Sequence, residues 1–432
     1  MTRPQVVIIG GGFAGLACAR GLAKSVADVK LIDRRNFHLF QPLLYQVATG
    51  ALSPANIAAP LRSILRRQKN CQVLLGDVHD FNTTDRRVEL VDGTSIPYDY
   101  LVLATGSTHH YFGQDEKWEP LAPGLKTIED ATEIRRKVLS AFEAAELLHP
   151  CPARTALLTF VVVGGGPTGV EMAGAICELA KHTMKNDFRE IDPRQARIIL
   201  IENSPGILNN FHDSLGVIAK KVLKKMGAEV WNDTRLTEIH EDHVLVIQNN
   251  QEMRIDSHNI VWAAGVKASP LGKKIVDKLG APASLDRAGR VIVDKACAIP
   301  THQEIFVLGD AACFMDDNDK MLPGVAPVAM QQGRYVGELI SGKLRGEAIS
   351  KSFSYLDKGN MATIGRSQAV CETGKIRFSG KIAWLAWLFI HILYLARFEN
   401  RLLVLMQWFW NYITRNRAAR LITNVETKIE KS

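Results

Sequence analysis

Runs of apolar, largely β-branched residues recur along the first three quarters of the chain, and the clearest of them stop at a glycine. "VVIIGGGFAG" near the N-terminus and "FVVVGGGPTGVE" around residue 165 are two such runs. Continuous apolarity without alternation predicts strands buried on both faces, as in a parallel sheet. After the first glycines the pattern changes period, and "LACARGLAK" reads as a helix. Further strands are predicted in "VKLIDRR", "ARIILIE", "YDYLVLATGS", "NIVWAAGVKASP" and "EIFVLGDAA". Strand, glycine turn and helix in succession predict an α/β fold with mainly parallel sheets.

The pattern breaks near the C-terminus. Residues 382–396 form a mostly apolar run, "RFENR" interrupts it, and a second apolar run covers 402–413. As a helix the first run extends about 22 Å, short of the roughly 30 Å of a bilayer core. A span would also carry Arg397, Glu399 and Arg401 into lipid, at about 2.5–3.5 kcal/mol each. Two short helices lying in the membrane interface avoid that penalty. Trp384, Trp387, Trp408 and Trp410 are then expected at headgroup level, with Arg415, Arg417 and Arg420 on anionic phosphates. The competing reading is a dimer interface or a buried hairpin.

The glycines carry the first candidate chemistry. Gly10, Gly12 and Gly15 stand in GxGxxG spacing between a strand and a helix, and so do Gly164, Gly166 and Gly169, with Pro167 and Thr168 between the last two. That arrangement allows a tight turn, close approach of backbone to a pyrophosphate and close helix–strand packing, with the helix N-terminus facing the phosphates. Each unit has an acid at the end of its second strand. Asp33 follows Gly15 by 18 residues, and Glu202 follows Gly169 by 33, the delay being an elongated helix and loop in "KHTMKNDFREIDPRQ". A carboxylate there accepts a ribose 2′-hydroxyl and repels a 2′-phosphate, which favours NADH over NADPH at the second site. Two dinucleotide sites in one chain suggest one ligand that stays and one that exchanges. Ala264 and Gly265 echo in the second unit the Thr105–Gly106 turn of the first.

With Gly309 and Asp310 ending an apolar strand, these signals make the chain resemble the two-dinucleotide flavoproteins, where such an aspartate binds the flavin ribityl chain. The resemblance implies non-covalent FAD held by Gly10, Gly12, Gly15, Asp33, Arg34, Thr105, Gly106, Gly309, Asp310, Ala326 and Ala329. "RRNFHLFQPLLYQVATGALSPANIAAPLRSIL", "GGGPTGVEMAGAI" and "MATIGRSQAV" are similar, within that group, to type II NADH:quinone oxidoreductases, and the likeness covers essentially the whole chain. It implies hydride transfer from NADH to FAD and two-electron reduction of a membrane quinone, ubiquinone or menaquinone, without proton pumping. It carries Glu171 over as the glutamate near nicotinamide and flavin. The quinone-side motif Ala-Gln-x-Ala-x-Gln reads "APVAMQ" here, so Pro327 replaces the first glutamine and Gln331 becomes the candidate, with Gln332 beside it and Lys375 as a further one.

The expected architecture is two Rossmann-like domains, the NADH domain inserted in the FAD domain, with a C-terminal helical membrane-anchoring region. The boundaries are 1–115 and 290–345 for FAD, 116–289 for NADH and 346–432 for the anchor. Net charge is +8, and residues 397–432 hold seven Lys/Arg against three Asp/Glu, or +4. A basic tail beside apolar runs points to an anionic lipid surface and away from nucleic acid. The seven cysteines form no CxxC, so neither zinc nor a vicinal redox pair is signalled, and no metal site is expected. No targeting segment precedes the first strand, which favours a peripheral protein on the cytoplasmic side of a cell inner membrane, and a homodimer is expected. Two rivals stay open: a sulfide:quinone oxidoreductase, for which Cys151 and Cys371 are the candidate pair, and a membrane-bound redox sensor of the same fold.

Overall fold

The computed structural model describes residues 3–347, 352–414, 417 and 419–423. They fall into two compact units, and each is assembled from separated stretches of sequence. The first comprises Met1–Leu39, Ala58–His109 and Val266–Lys358; the second comprises Phe40–Ile57, His110–Gly265 and Gly359–Ser432. These borders differ from those read in the sequence. Residues 266–289 lie with the first unit, and 40–57 lie with the second together with the tail.

The first unit is built on a six-stranded sheet in the order Ala298–Ile299, His302–Val307, Tyr100–Leu103, Gln5–Ile9, Asp28–Asp33 and Cys71–Leu75. The pairings are parallel except between the first two strands. Val6, Val7, Ile8 and Ile9 are all buried, as the unbroken apolar run requires of a central parallel strand. Helices Phe13–Gly21 and Ala326–Leu344 pack closely on each other. Glycine makes this crossing possible: a Cβ on Gly333 would lie 2.1 Å from the Ala14 carbonyl oxygen.

The second unit holds a four-stranded parallel sheet in the order Ala228–Trp231, Arg197–Ile201, Thr159–Val163 and Asn259–Trp262. Helix Ile128–Glu146 leans on it, with Phe142 stacked on Phe160 at 5.3 Å between ring centres. That helix starts at a capping box, in which Thr127 and Asp130 satisfy each other's backbone N–H groups. Helix Pro167–Glu178 runs on through a π-turn, Leu179–Thr183, which with the following loop accounts for the long spacing to Glu202.

The tail forms helices Lys381–Tyr394 and Phe398–Thr414. Among the described residues no helix is long and apolar enough to cross a membrane. The seam between the two helices is aromatic, with Trp387 5.5 Å from Trp408 and Trp384 5.8 Å from Tyr412. Asn400 donates to the carbonyls of Ala55 (3.0 Å) and Asn56 (2.9 Å), and Asn411 to that of Ala51 (3.1 Å). Two sequence readings are corrected here. Trp387 is only 2% exposed and Trp384 and Trp408 turn into the seam, so Trp410 alone, at 58%, stands open. Arg417 is buried, with Glu178 and two backbone carbonyls as its partners, and Arg420 pairs with Asp187. Arg415 lies outside the described residues.

Candidate active site

The two glycine loops are close copies, each within its own unit. Gly10 and Gly164 have φ of +102° and +108°, a region open to glycine, and a Cβ on either would lie within 2.7 Å of the carbonyl oxygen of Ala104 or Ala263. Gly15 and Gly169 each sit so that a Cβ would fall 1.8 Å from the carbonyl oxygen of Gly10 or Gly164. Gly12 and Gly166 occupy the N-cap positions, and nothing stands within 4 Å of where a side chain would project. Neither helix has a side-chain cap or an acid in its first turn. Backbone N–H groups at both helix starts are thus left for an anion.

The two acids repeat the pattern. Asp33 Oδ2 accepts the Gly11 N–H at 2.6 Å and Oδ1 that of Arg35 at 2.7 Å. Glu202 Oε2 accepts the Gly165 N–H at 2.6 Å and Oε1 that of Ser204 at 2.8 Å. Each carboxylate therefore braces its own loop, a role the sequence did not reveal. An ionised carboxylate has about four lone-pair positions, so two acceptor sites remain for a ribose. Arg34 is exposed beside Asp33. Pro167 fills the first helical position, where it costs no hydrogen bond, and Thr168 follows it. Gly265, at φ +87°, follows Ala264 in the turn after strand Asn259–Trp262, and a Cβ on it would lie 3.1 Å from the Phe112 ring.

The rest of the predicted FAD set gathers in the first unit. Asp310 Oδ2 accepts from Ser107 Oγ at 2.6 Å, just after Thr105 and Gly106. The Thr105 hydroxyl is buried with no hydrogen-bond partner, an unmet polar group that a bound dinucleotide can satisfy. A Cβ on Gly309 would lie 3.2 Å from the methyl of Ala329, three residues after Ala326 opens its helix. The buried side chain of Gln332 accepts the Gly309 N–H at 2.7 Å, so Gln332 holds the Asp310 turn. Gln331 exchanges two hydrogen bonds with the backbone of Leu356, both at 3.0 Å. Lys375 is exposed in the tight turn between strands Ala369–Thr373 and Ile376–Gly380.

In the second unit Glu171 lies fifth in its helix, past the first turn, and accepts the Thr363 N–H at 3.4 Å. It keeps some exposure at the surface, yet loss of hydration outweighs that bond and pushes the carboxyl up to about 8. Tyr45 is buried close enough for the Glu171 charge to act on its phenol, and burial first, then that charge, drives the phenol well above its ordinary range. Its hydroxyl accepts from Gln46 Nε2 at 2.9 Å, and Gln46 Oε1 accepts from Trp408 Nε1 at 2.7 Å. One face of the Glu171 helix continues to Glu178, which meets Arg417 at 3.0 Å. Arg417 also donates to the carbonyls of Thr49 and Ala175, both at 3.2 Å. The Tyr45–Gln46–Trp408 relay and this ion pair escaped the sequence reading. The one available signal was that Glu178 follows Glu171 by seven residues, on the same side of a helix. Among the described residues no cluster of His, Cys, Asp or Glu could hold a metal ion.

Comparison with known proteins shows the family. The family model for pyridine nucleotide-disulphide oxidoreductases matches residues 4–333. The type II NADH:quinone oxidoreductase NdhA of Mycobacterium tuberculosis is 44% identical over 98% of this chain and 90% of its own length. A type II NADH:quinone oxidoreductase of Staphylococcus haemolyticus is 28% identical over 85% of this chain and 89% of its own. Among solved structures, NDH2 from Plasmodium falciparum in complex with NADH superimposes with a TM-score of 0.86 at 19% identity, covering 98% of this chain and all of that one.

Proposed function

The chain belongs to the pyridine nucleotide-disulphide oxidoreductases and, within them, to the type II NADH:quinone oxidoreductases, and from that premise we infer how its residues divide the work. The activity is oxidation of NADH coupled to reduction of a respiratory quinone. FAD, when bound, would supply the redox chemistry between NADH and the quinone. The N-terminal loop at Gly10–Gly15 holds the FAD pyrophosphate, Asp33 the ribose, and Asp310, set by Ser107 and Gln332, the ribityl chain. Arg34, Thr105, Gly106, Ala326 and Ala329 line the same site. The second loop, Gly164 to Gly169, holds the NADH pyrophosphate, and Glu202 selects the free 2′-hydroxyl. Ala264 and Gly265 flank that ligand.

Glu171 holds a proton at neutral pH and is the acid–base group of this reading. Gln331 keeps one N–H and one lone pair beyond its Leu356 bonds, and these are offered to quinone. Gln332 has its place under the Asp310 turn instead, and Lys375 is a solvated residue nearer the tail helices in sequence. The tail lies in the membrane interface as two helices, with Ile382, Leu385, Phe389, Leu402, Phe409 and Trp410 in lipid. The protein is peripheral, faces the cytoplasm, and works as a homodimer.

The observation that carries this reading is the duplicated glycine loop, each copy with its own carboxylate braced in the same way. Anaerobic NADH is expected to bleach the flavin absorbance, and added quinone to restore it within the same cuvette. A flavin that NADH does not bleach would leave the sensor reading standing. A bleached flavin that quinone does not reoxidise would remove the quinone assignment. The sulfide rival needs two thiols: Cys151 is exposed and Cys371 is buried in its strand. The C151S/C371S protein is expected to keep full NADH:quinone turnover.

A further inference from the structure

Within the second unit a cleft of about 960 Å3 runs along the inner side of the tail helices. Its lining is strongly unbalanced in charge. Lys181, Lys221, Lys225, Arg366, Lys381 and Arg417 contribute to it against one carboxylate, Glu178. That carboxylate is already committed, to Arg417 at 3.0 Å and to the backbone N–H of Arg366. Two of the cations are likewise occupied: Arg366 lies 4.0 Å from the Tyr412 ring centre and donates to the Tyr412 carbonyl, and Lys181 donates to Gly227 at 3.3 Å. Lys221, Lys225 and Lys381 are exposed at the rim. An array of this kind lowers the free energy of an anion placed in it.

The lining also carries indole. Trp384, Trp387 and Trp408 stand together there, and the buried Trp387 N–H has no hydrogen-bond partner. A neutral quinone gives the cations nothing to neutralise, and a free phosphate ion gives the indoles nothing to cover. A molecule with an anionic head and an apolar body matches both parts, and the volume lies in the range of sites for drug-sized ligands. We propose that this cleft takes the phosphodiester headgroup of an anionic phospholipid, with the first part of an acyl chain against the tryptophans. The inference rests on the reading that the tail lies on lipid, because the same two helices wall the cleft and carry the outward apolar face.

The test uses the full-length flavoprotein in a neutral detergent. Water-soluble dihexanoyl phosphatidylglycerol, its phosphatidylcholine counterpart and inorganic phosphate are titrated separately, and indole emission is followed. Phosphatidylglycerol is expected to give a saturable change, phosphatidylcholine none, and phosphate only a weak change at far higher concentration. K225E/K381E is expected to weaken phosphatidylglycerol binding about 30-fold while leaving flavin bleaching by NADH unchanged. Equal responses to the two lipids, saturation by phosphate as tight as by phosphatidylglycerol, or an unaltered affinity in the variant would each overturn the proposal. Flotation with vesicles of phosphatidylcholine alone reads the tail independently. A protein that floats but does not bind phosphatidylglycerol refutes the cleft and keeps the anchor. One that binds phosphatidylglycerol but never floats keeps the cleft and refutes the anchor.

Discussion

Glu171 shows how much one side chain can depend on its surroundings. An ordinary glutamate is ionised at neutral pH, whereas this one, raised to about 8, holds its proton there. Because the folded chain binds this proton more tightly than the unfolded chain, its effect on stability has a definite sign. The contribution is neutral below the ordinary value of 4.5, becomes increasingly unfavourable as pH rises from there to about 8, and is constant above. Glu171→Gln is locked in the uncharged form. The variant should therefore lose less melting temperature than the parent between pH 5 and pH 9, as scanning calorimetry would show. Its turnover should fall by about tenfold or more and no longer vary with pH around 8, since the exchangeable proton is gone. A variant that keeps the parent's pH profile would remove Glu171 from the acid–base role. Gln331 and Gln332 make the complementary point. Their sequence position could not show that their amides are bonded to Leu356 and Gly309, because those partners lie 25 and 23 residues away.

At the scale of elements, the segment around Arg417 is fastened from inside. The Arg417–Glu178 pair joins residues 239 apart, and both side chains are largely withdrawn from solvent. Removing one partner leaves the other buried and uncompensated, so Arg417→Met should cost about 3–5 kcal/mol in urea unfolding. The double change Glu178→Gln with Arg417→Met should cost clearly less than the single one. The outward side of the tail makes a separate prediction. Leu402→Glu with Phe409→Glu places two charges where the apolar face is open, at 50% and 67% exposure. Vesicle flotation should then drop severalfold while NADH still bleaches the flavin. The pattern of the sequence announced the two short helices and the break between them, because apolar runs and a charge cluster are local signals. It did not announce which tryptophans turn inward. That choice is made by the packing of the two helices on each other and by Gln46, 362 residues from Trp408 in sequence.

At the scale of the whole molecule, two units carry one loop design, which the proposed function assigns to two ligands. The strands, glycines and carboxylates of both could be read from spacing alone, since each loop is built within a few dozen consecutive residues. The borders of the compact units could not, because residues 40–57 join the second unit through tertiary packing with no change of composition at either end. The likeness of the loops permits a paired experiment. Gly15→Ala and Gly169→Ala create the same clash, a Cβ 1.8 Å from a carbonyl oxygen. The first is expected to yield protein purified without its yellow flavin. The second is expected to keep the colour but to need at least ten times more NADH for bleaching.

The outward face of the tail has one more consequence. Phe398, Met406, Phe409, Trp410 and Ile413 offer water a greasy surface that no other described residue covers. In plain buffer, stripped of amphiphile, that surface will find another copy of itself. Sedimentation of such a sample would then count molecules gathered by thirst for cover and say nothing of how many associate in the cell.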